Sequence, residues 1–514
     1  MPLNKPELVF GLVGATGTDL QSVTRALEAC LAQVSYATSL VTLSAILHEF
    51  PKWSALPAVP EEERIDRYMD AGDEVREQTG RGDALAILAC GAIREIREDK
   101  IGSSTSPVPN HAYILRSLKH PSEVESLRRI YGTNFHLIGA YSRRPNRVSN
   151  LAARIAQSHN TSALDAHRSE AERLIVRDQE ESGRKLGQQL RETFPMADVF
   201  VDADDRTGME RAIERFIEIL FGYAFHTPTK DEYGMFHAQA AALRSAALGR
   251  QVGATIATRT GDVVAVGTNE VPKAGGGLYW ADDEVDHRDF RLKYDSMDRF
   301  KRQMLAEIID RLQQAGWLST SRAKQDVLKL VEEAQAGPIR GAQLLNVLEY
   351  GRIVHAEMAA ITEAARRGVS VQSSTLYTTT YPCHICARHI VAAGITRVVY
   401  VEPYPKSLTA LLHMDAVTDD GTTPTETQIA FESFVGIAPR RYMDLFEMVE
   451  RKKKDGSTVE YIPAEAMPRG ASSETTYLAR EAVEVEQLGQ LVAENDLFRS
   501  GEGDDKTGLA DKAI

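Results

Sequence analysis

One histidine, one glutamate and two cysteines stand at spacings suited to metal-assisted hydrolysis. They are His355, Glu357, Cys383 and Cys386, within His355-Ala356-Glu357 and Pro382-Cys383-His384-Ile385-Cys386. An imidazole and two thiolates are ligands for Zn²⁺, and three protein ligands leave a fourth position open to water. Glu357 lies two residues from the histidine, near enough to handle protons without ligating the metal. Two thiolates and a neutral imidazole cancel the charge of zinc, so such a site acidifies its water less than an all-histidine site. A base is therefore required, and Glu357 is that base.

The spacing H-x-E…P-C-x-x-C is the signature of zinc-dependent nucleobase deaminases. A structural zinc knot would need a fourth ligand at finger spacing, yet the remaining cysteines, Cys30 and Cys90, lie far upstream. A reducing Cys-x-x-Cys pair would leave the His-x-Glu unexplained. The elements needed to position these residues are legible around them. HAEMAAITEAARRG predicts a helix stopping at Gly368, and LYTTTYP (376–382) a strand. Pro382 turns the chain into CHICARHIVAAG, a second helix ending at Gly394, before the strand TRVVYVEP. This order places the metal at a sheet edge between two helix N-termini, where thiol pKa values fall.

At 514 residues the chain is too long for one ordinary domain. A net charge of −13 argues against a protein that mainly grips nucleic acid. Four cysteines, two of them expected ligands, suit a reducing cytoplasm. MPLNKPELVFG has neither a basic start nor a small-residue cleavage site, and no apolar run reaches spanning length. A cytoplasmic protein with no membrane contact is expected.

The first domain is expected over residues 1–225. ELVFGLVGATGTDLQSVTRALEACL predicts a strand, a glycine turn and an amphipathic helix. Gly11, Gly14 and Gly17 suit a backbone approaching phosphate, with Thr18 or Asp19 capping the helix, so a nucleotide is the expected ligand. Thr18 stands where a phosphate-loop lysine would, and Asp19 where a Mg²⁺-binding hydroxyl would, so phosphoryl transfer loses its charge clamp. SLVTLSAI, ALAILACGAI, FHLIGAYS and ADVFVDADD predict further strands of a parallel sheet with helices on both faces. Asp202, Asp204, Arg143 and Arg144 follow strands at the ligand-binding edge. The charged helices of 145–193 are expected to face solvent or a partner. The domain resembles a nucleoside monophosphate kinase core without its lysine, which implies a sensor or regulator.

The second domain is expected over residues 226–470, interrupted by an insertion at 270–354. VGATIA and VVAVGTN form a hairpin about Gly261-Asp262. Arg244-Ser245, Arg250-Gln251-Val252-Gly253-Ala254, Gly267-Thr268-Asn269 and the zinc motif together resemble the deoxycytidylate deaminase branch of the cytidine deaminase superfamily. The fold class is thus α/β, a P-loop NTPase or kinase-like sheet domain followed by a deaminase-like α/β/α domain with a helical insertion. The whole order, with Glu402-Pro403-Tyr404-Pro405-Lys406-Ser407 and GGGLYWADDEVDHRDF, resembles the bacterial anti-phage dCTP deaminases. That resemblance implies one catalytic zinc per chain and conversion of dCTP, and often dCMP, to the uracil nucleotide, starving phage replication. It also implies that Asn269 bonds the sugar and that Arg250 belongs to the substrate site. From its place beside Cys383, Tyr381 is expected either to line the base pocket or, as a strand aromatic, to belong to the core, and Lys406, after a strand end on the side of the metal, to meet phosphate.

In the insertion, Tyr279 and Trp280 offer stacking groups, while RFKRQMLAEIIDRLQQAGWL and a helical run to Tyr350 suit an oligomer interface or allosteric surface, so a homo-oligomer is expected. EMVERKKKDGSTVEYI predicts a hairpin with Asp455-Gly456 at its tip. Residues 471–514 read as an acidic tail with one docking helix and a disordered end. Two rival functions use the same motif. One is an editor of tRNA or single-stranded polynucleotide, disfavoured by the acidity and the lack of a basic aromatic groove. The other is a nucleotide-binding regulator. An inhibitory RNA, protein or nucleotide would each suit the control such an activity needs.

Overall fold

The structure, a computed structural model, describes residues 5–179, 186–340, 342–347, 349–404, 407–418, 425, 427–447, 450–472 and 475–494. The chain divides into two units: residues 1–232 with 433–514, and residues 233–432.

The first unit is built on a six-stranded sheet in the order β12-β5-β4-β1-β3-β2. Its strands are β1 (Leu8–Gly14), β2 (Ala37–Thr42), β3 (His111–Arg116), β4 (Phe135–Tyr141) and β5 (Val199–Asp202), all parallel, and the antiparallel β12 (Gly436–Ile437). β1 is buried along its whole length, as a central parallel strand covered on both faces must be. Its helices include α1 (Leu20–Gln33), α2 (Glu61–Thr79), α3 (Ala84–Ile101), α4 (Pro121–Tyr131), α5 (Arg144–Ser158), α6 (Arg168–Gln179) and α7 (Arg206–Leu220). Leu8, Phe10 and Leu12 of β1 meet Leu27 and Leu31 of α1 and Ile213, Phe216 and Ile217 of α7 in one core.

Three expectations are corrected here. ALAILACGAI lies in α3, not in a strand. Its apolar run is alanine-rich and continues with helical spacing through Ile93 and Arg97 to a left-handed cap at Gly102, and a strand would be shorter. Of SLVTLSAI, the strand ends at Thr42 and a short helical turn takes Leu43–Ile46. The charged helices of 145–193 are amphipathic: Val148, Leu151 and Ile155 of α5 and Ala171, Leu174 and Ile175 of α6 close a core with Ile65 and Met69 of α2.

The second unit carries the sheet β10-β11-β9-β8-β6-β7. It comprises the hairpin β6 (Gly253–Ala257) and β7 (Val263–Thr268), then β8 (Thr375–Thr380), β9 (Arg397–Glu402), β10 (Val417–Thr418) and β11 (Ile429–Ser433). β8 runs antiparallel to β6 and parallel to β9. Its helices are α8 (Lys230–Ala242), α9 (Ser296–Gln314) and α10 (Val327–Ala336) of the insertion, α11 (Ala356–Arg366) and α12 (His384–Ala392). α9 and α10 bury Leu305, Ile309, Leu330 and Val331 against each other.

The expected boundary near 470 moves to 432, because β12 adds to β5 of the first sheet, with Gly436 opposite Phe200 and Ile437 opposite Val199. The docking helix is α13 (Thr476–Glu494), and the chain beyond it, expected to be disordered, lies outside the described residues. Arg97 of α3, fully buried, gives Nη1 and Nη2 to Glu481 of α13 at 2.5 and 3.1 Å and Nε to Glu7 at 3.1 Å. Glu481 also accepts from Tyr131 at 2.7 Å, and Glu7 from Tyr477 at 2.7 Å. One cation thus serves two buried carboxylates, and burial pushes the Glu481 carboxyl above its ordinary range despite Arg97. Of the expected hairpin at 447–462, the described residues bring Lys452 antiparallel to Thr458, with Val459 N donating to the Arg451 carbonyl, about a tip at Gly456. No helix among the described residues is long and apolar enough to cross a membrane.

Candidate active site

Both halves of the motif sit where a strand or extended segment gives way to a helix. His355 is the extended N-cap of α11 and Cys383 that of α12, so each ligand projects at a helix N-terminus. Glu357 and Cys386 lie in the first turns that follow, at 4% and 0% exposure. The close approach of α11 to the hairpin depends on Gly267: a Cβ there would stand 2.2 Å from the Ala356 carbonyl oxygen and 2.4 Å from the Ala360 nitrogen. Pro382 is held by its carbonyl, which accepts from Ser407 Oγ at 2.9 Å and Thr409 Oγ1 at 3.2 Å.

The ligand atoms of His355, Cys383 and Cys386 all lie within 4.8 Å of one another. His355 Nδ1 is 3.3 Å from each sulfur. Tetrahedral zinc with ordinary Zn–S and Zn–N bonds requires S···N separations of about 3.5 Å, so the donor set fits the ion with little adjustment. Cys386 Sγ approaches Glu357 Oε2 at 3.4 Å, which sets the carboxylate beside the ligand cluster.

The electrostatics set the two sulfurs apart. The hydrogen bond from Cys386 holds the Cys383 thiol well below its ordinary value, with His355 assisting. The same bond, with burial and the Glu357 charge, pushes Cys386 up. The Cys383 contact raises His355, and burial followed by the Cys383 charge raises Glu357. A divalent cation held by His355, Cys383 and Cys386 would favour the thiolate form of both cysteines.

Other expected site residues are placed differently. Asn269 spends its amide on the backbone: Oδ1 accepts from Val252 N at 2.7 Å and Nδ2 donates to the Arg250 carbonyl at 2.7 Å. It clamps the 250–252 segment. Arg250 pairs with Glu402 at the exposed end of β9. Tyr381 is 8% exposed and packs on Tyr400 and Phe431, with ring centroids at 4.9 and 5.5 Å, so it is a core side chain. Lys406 lies outside the described residues.

Glu270 escaped the sequence reading. Its buried carboxylate accepts from Ala246 N and Val271 N at 2.9 Å, and its backbone bridges Val354 at 3.2 and 3.1 Å, directly before His355. An acidic residue following a strand carries no signal of such a role. In the adjoining loop the Arg244 guanidinium stacks 3.5 Å above the Trp280 ring and donates to the Leu278 and Tyr279 carbonyls.

In the first unit, Gly11 lies inside β1, where a Cβ would strike Leu118, Leu137 and Phe135 side chains. It is a packing residue, not part of the turn. Gly14 ends the strand, and Gly17 has φ +92 with the Arg147 carbonyl 2.6 Å from where its Cβ would stand. Asp19, not Thr18, caps α1 by accepting from Ser22 N at 3.1 Å. Lys119 and Asp178, which meet this turn, were not identified from sequence, because each stands far along the chain and Lys119 follows the unread strand β3.

Gly267 offers a direct check on this geometry. Gly267→Ala is expected to drive α11 off the hairpin, costing about 1–3 kcal/mol as an overpacked contact. Zinc content, measured by plasma mass spectrometry, should fall below one per chain, whereas an unchanged content would remove Gly267 from the account.

Residues 228–402 match the sequence model of the cytidine and deoxycytidylate deaminase zinc-binding region. The chain is 46% identical over 54 residues to the deoxycytidylate deaminases of Enterobacteria phages T2 and T4, covering 10% of this chain and 29% and 28% of theirs. It thus spans less than a third of the length of these relatives. The cyanophage S-TIM5 dCMP deaminase crystal structure is covered in full against 41% of this chain, at 15% identity and a TM-score of 0.22. His355, Glu357, Cys383 and Cys386 all fall within the matched segment, and it is through residues 228–402 that the chain aligns with the zinc-binding cytidine and deoxycytidylate deaminases.

Proposed function

We propose that the protein is a zinc-dependent hydrolase that deaminates free deoxycytidine nucleotides, dCTP or dCMP, to the uracil nucleotide and ammonia. The observation that carries this reading is Glu357 Oε2 at 3.4 Å from Cys386 Sγ, beside three ligand atoms within 4.8 Å of one another. His355, Cys383 and Cys386 would hold the zinc, which supplies a Lewis acid that activates water at neutral pH. Glu357 accepts the proton of the attacking water and delivers it to N3 of the cytosine ring as oxygen adds at C4. It then takes the proton of the hydroxyl added at C4 and passes it to the exocyclic amine, which departs as ammonia as the C4 carbonyl forms. Its burial keeps bulk water from short-circuiting these transfers.

The clamp of Asn269 on Arg250 and Val252, with Glu270 tied to Val354, holds the segments flanking His355 in register. Arg244 on Trp280 sets a cation and an aromatic ring in the loop after the hairpin, groups of the kind that a nucleotide's phosphate and base call for. In this reading the first unit binds a nucleotide that controls turnover, and the activity drains dCTP during phage infection.

The test is ammonia release by the zinc-loaded full chain with dCTP, dCMP, CTP, CMP and an RNA oligonucleotide, each with and without ATP, GTP and dTTP. Turnover of dCTP or dCMP at least tenfold above the ribonucleotides is expected. Activity confined to the oligonucleotide would overturn the nucleotide-pool reading and leave the zinc chemistry intact.

A further inference from the structure

The parallel strands of the first unit run β2-β3-β1-β4-β5 across the sheet, so the chain builds to one side of β1 through β2 and β3 and then crosses to its other side at β4. The carboxyl end of β1 is therefore the topological switch point, where open parallel sheets take their ligands. The turn Ala15–Asp19 sits there, leading into the 14-residue helix α1. An anion already occupies this place. The carboxylate of Asp178, fully buried at the end of α6, accepts the Thr16 backbone N–H at 2.6 Å. It is also paired with Lys119 Nζ at 2.8 Å, and that ammonium reaches the Gly14 carbonyl at 2.9 Å. A backbone amide and an ammonium converging on an oxyanion are what a phosphate oxygen would meet.

The turn also holds donors that this carboxylate does not use. Arg147, 6% exposed, packs its backbone against Gly17 and donates Nε to the Ser142 carbonyl, while its Nη1 is buried with no hydrogen-bond partner among the described residues. The hydroxyl of Thr18, 8% exposed, is likewise buried and unpartnered. The other carboxylate acting on Arg147, Asp204, is committed to Ser142 Oγ at 2.6 Å and Arg143 N at 2.8 Å. One lodged carboxylate, paired with Lys119 and acting on Arg147 through its charge, thus lies by a turn that also carries an idle hydroxyl, a surplus that a phosphate dianion would satisfy more fully.

We propose that this turn is a phosphate site closed by the protein's own Asp178, and that a nucleotide opens it by putting a phosphate where the carboxylate now lies. The inference rests on reading the first unit as nucleotide-binding and is independent of the zinc chemistry. Displacing Asp178 pulls on the last turn of α6, whose Arg173 and Arg177 are anchored to Asp66 of α2. Occupancy of the turn is thereby read out as a movement of α6.

The test is calorimetric titration of the zinc-loaded full chain with ATP, adenosine and inorganic phosphate. Asp178→Asn removes the competing charge and should tighten ATP about tenfold, the value of one charge-assisted hydrogen bond, with adenosine unchanged. Arg147→Met should weaken ATP by a similar factor. Inorganic phosphate binding as tightly as ATP would support the closed site and assign it to free phosphate. Equal ATP affinity in wild type and Asp178→Asn overturns the role of Asp178 alone. No binding to either overturns the nucleotide reading as well, while ammonia release stays as it was. Should Asp178→Asn fail to fold, amide exchange in the wild type decides. The last turn of α6 must exchange faster at saturating ATP, and unchanged exchange or absent ATP binding overturns the proposal.

Discussion

Glu357→Gln is expected to retain one zinc per chain and to lower ammonia release by about 10²–10⁴-fold, the range assigned to a positioned general acid–base. The amide preserves the volume of the buried side chain but cannot carry a proton from water to the ring and on to the amine. His355, Cys383 and Cys386 keep their mutual spacing without it, because their positions are set by two helix caps and the Pro382 turn. Cys386→Ser should behave differently, losing metal and turnover together. Zinc content and turnover measured on the same preparations separate the two. Normal turnover by Glu357→Gln would sink the assignment of its role.

Arg97→Met is expected to cost the first unit about 3–5 kcal/mol, the usual consequence of stripping a buried charge of its partner. It leaves Glu7 and Glu481, both buried, with no cation between them. α13 should detach and become protease-sensitive. Glu481→Gln should be far milder, since the remaining Glu7–Arg97 pair is neutral and the amide oxygen still accepts from Tyr131. Arg97→Met with Glu481→Leu should recover only part of the loss, because Glu7 stays buried without its cation. Urea unfolding of the first unit, followed with proteolysis at 476–494, measures these differences. An unchanged midpoint in Arg97→Met would show that the buried network contributes nothing to docking.

The zinc motif was legible because its chemistry is local. Two N-caps, each with a partner in the next turn, require only short spacings, and Gly368 and Gly394 mark the helix ends at φ +70 and +75. The glycine turn was half legible: strand, turn and helix follow one another in sequence, but the groups that fill the turn do not. Lys119 and Asp178 are brought to it by the parallel crossover, which no spacing reveals. Tyr381 and Asn269 show the converse limit. Each stands beside motif residues, yet Tyr381 is taken by core packing and Asn269 by backbone clamping, and adjacency in sequence does not distinguish these from ligand contact. ALAILACGAI failed because a ten-residue apolar run fits a buried strand and a buried helix alike. β12 was missed because two residues carry no period at all.

The second unit interrupts the first in sequence, and this sets an order of synthesis. β12 and α13 leave the ribosome only after residues 233–432 have been made. Until then β5 remains an open sheet edge, and Arg97 lacks one of its two carboxylates. The nascent first unit must therefore wait, incompletely closed, while residues 233–432 are translated. A fragment ending near residue 225 reproduces that waiting state and not the finished unit. Any chain halted before residue 433 would lack the strand and helix that complete the first unit, and its exposed β5 edge would mark it for aggregation or proteolysis.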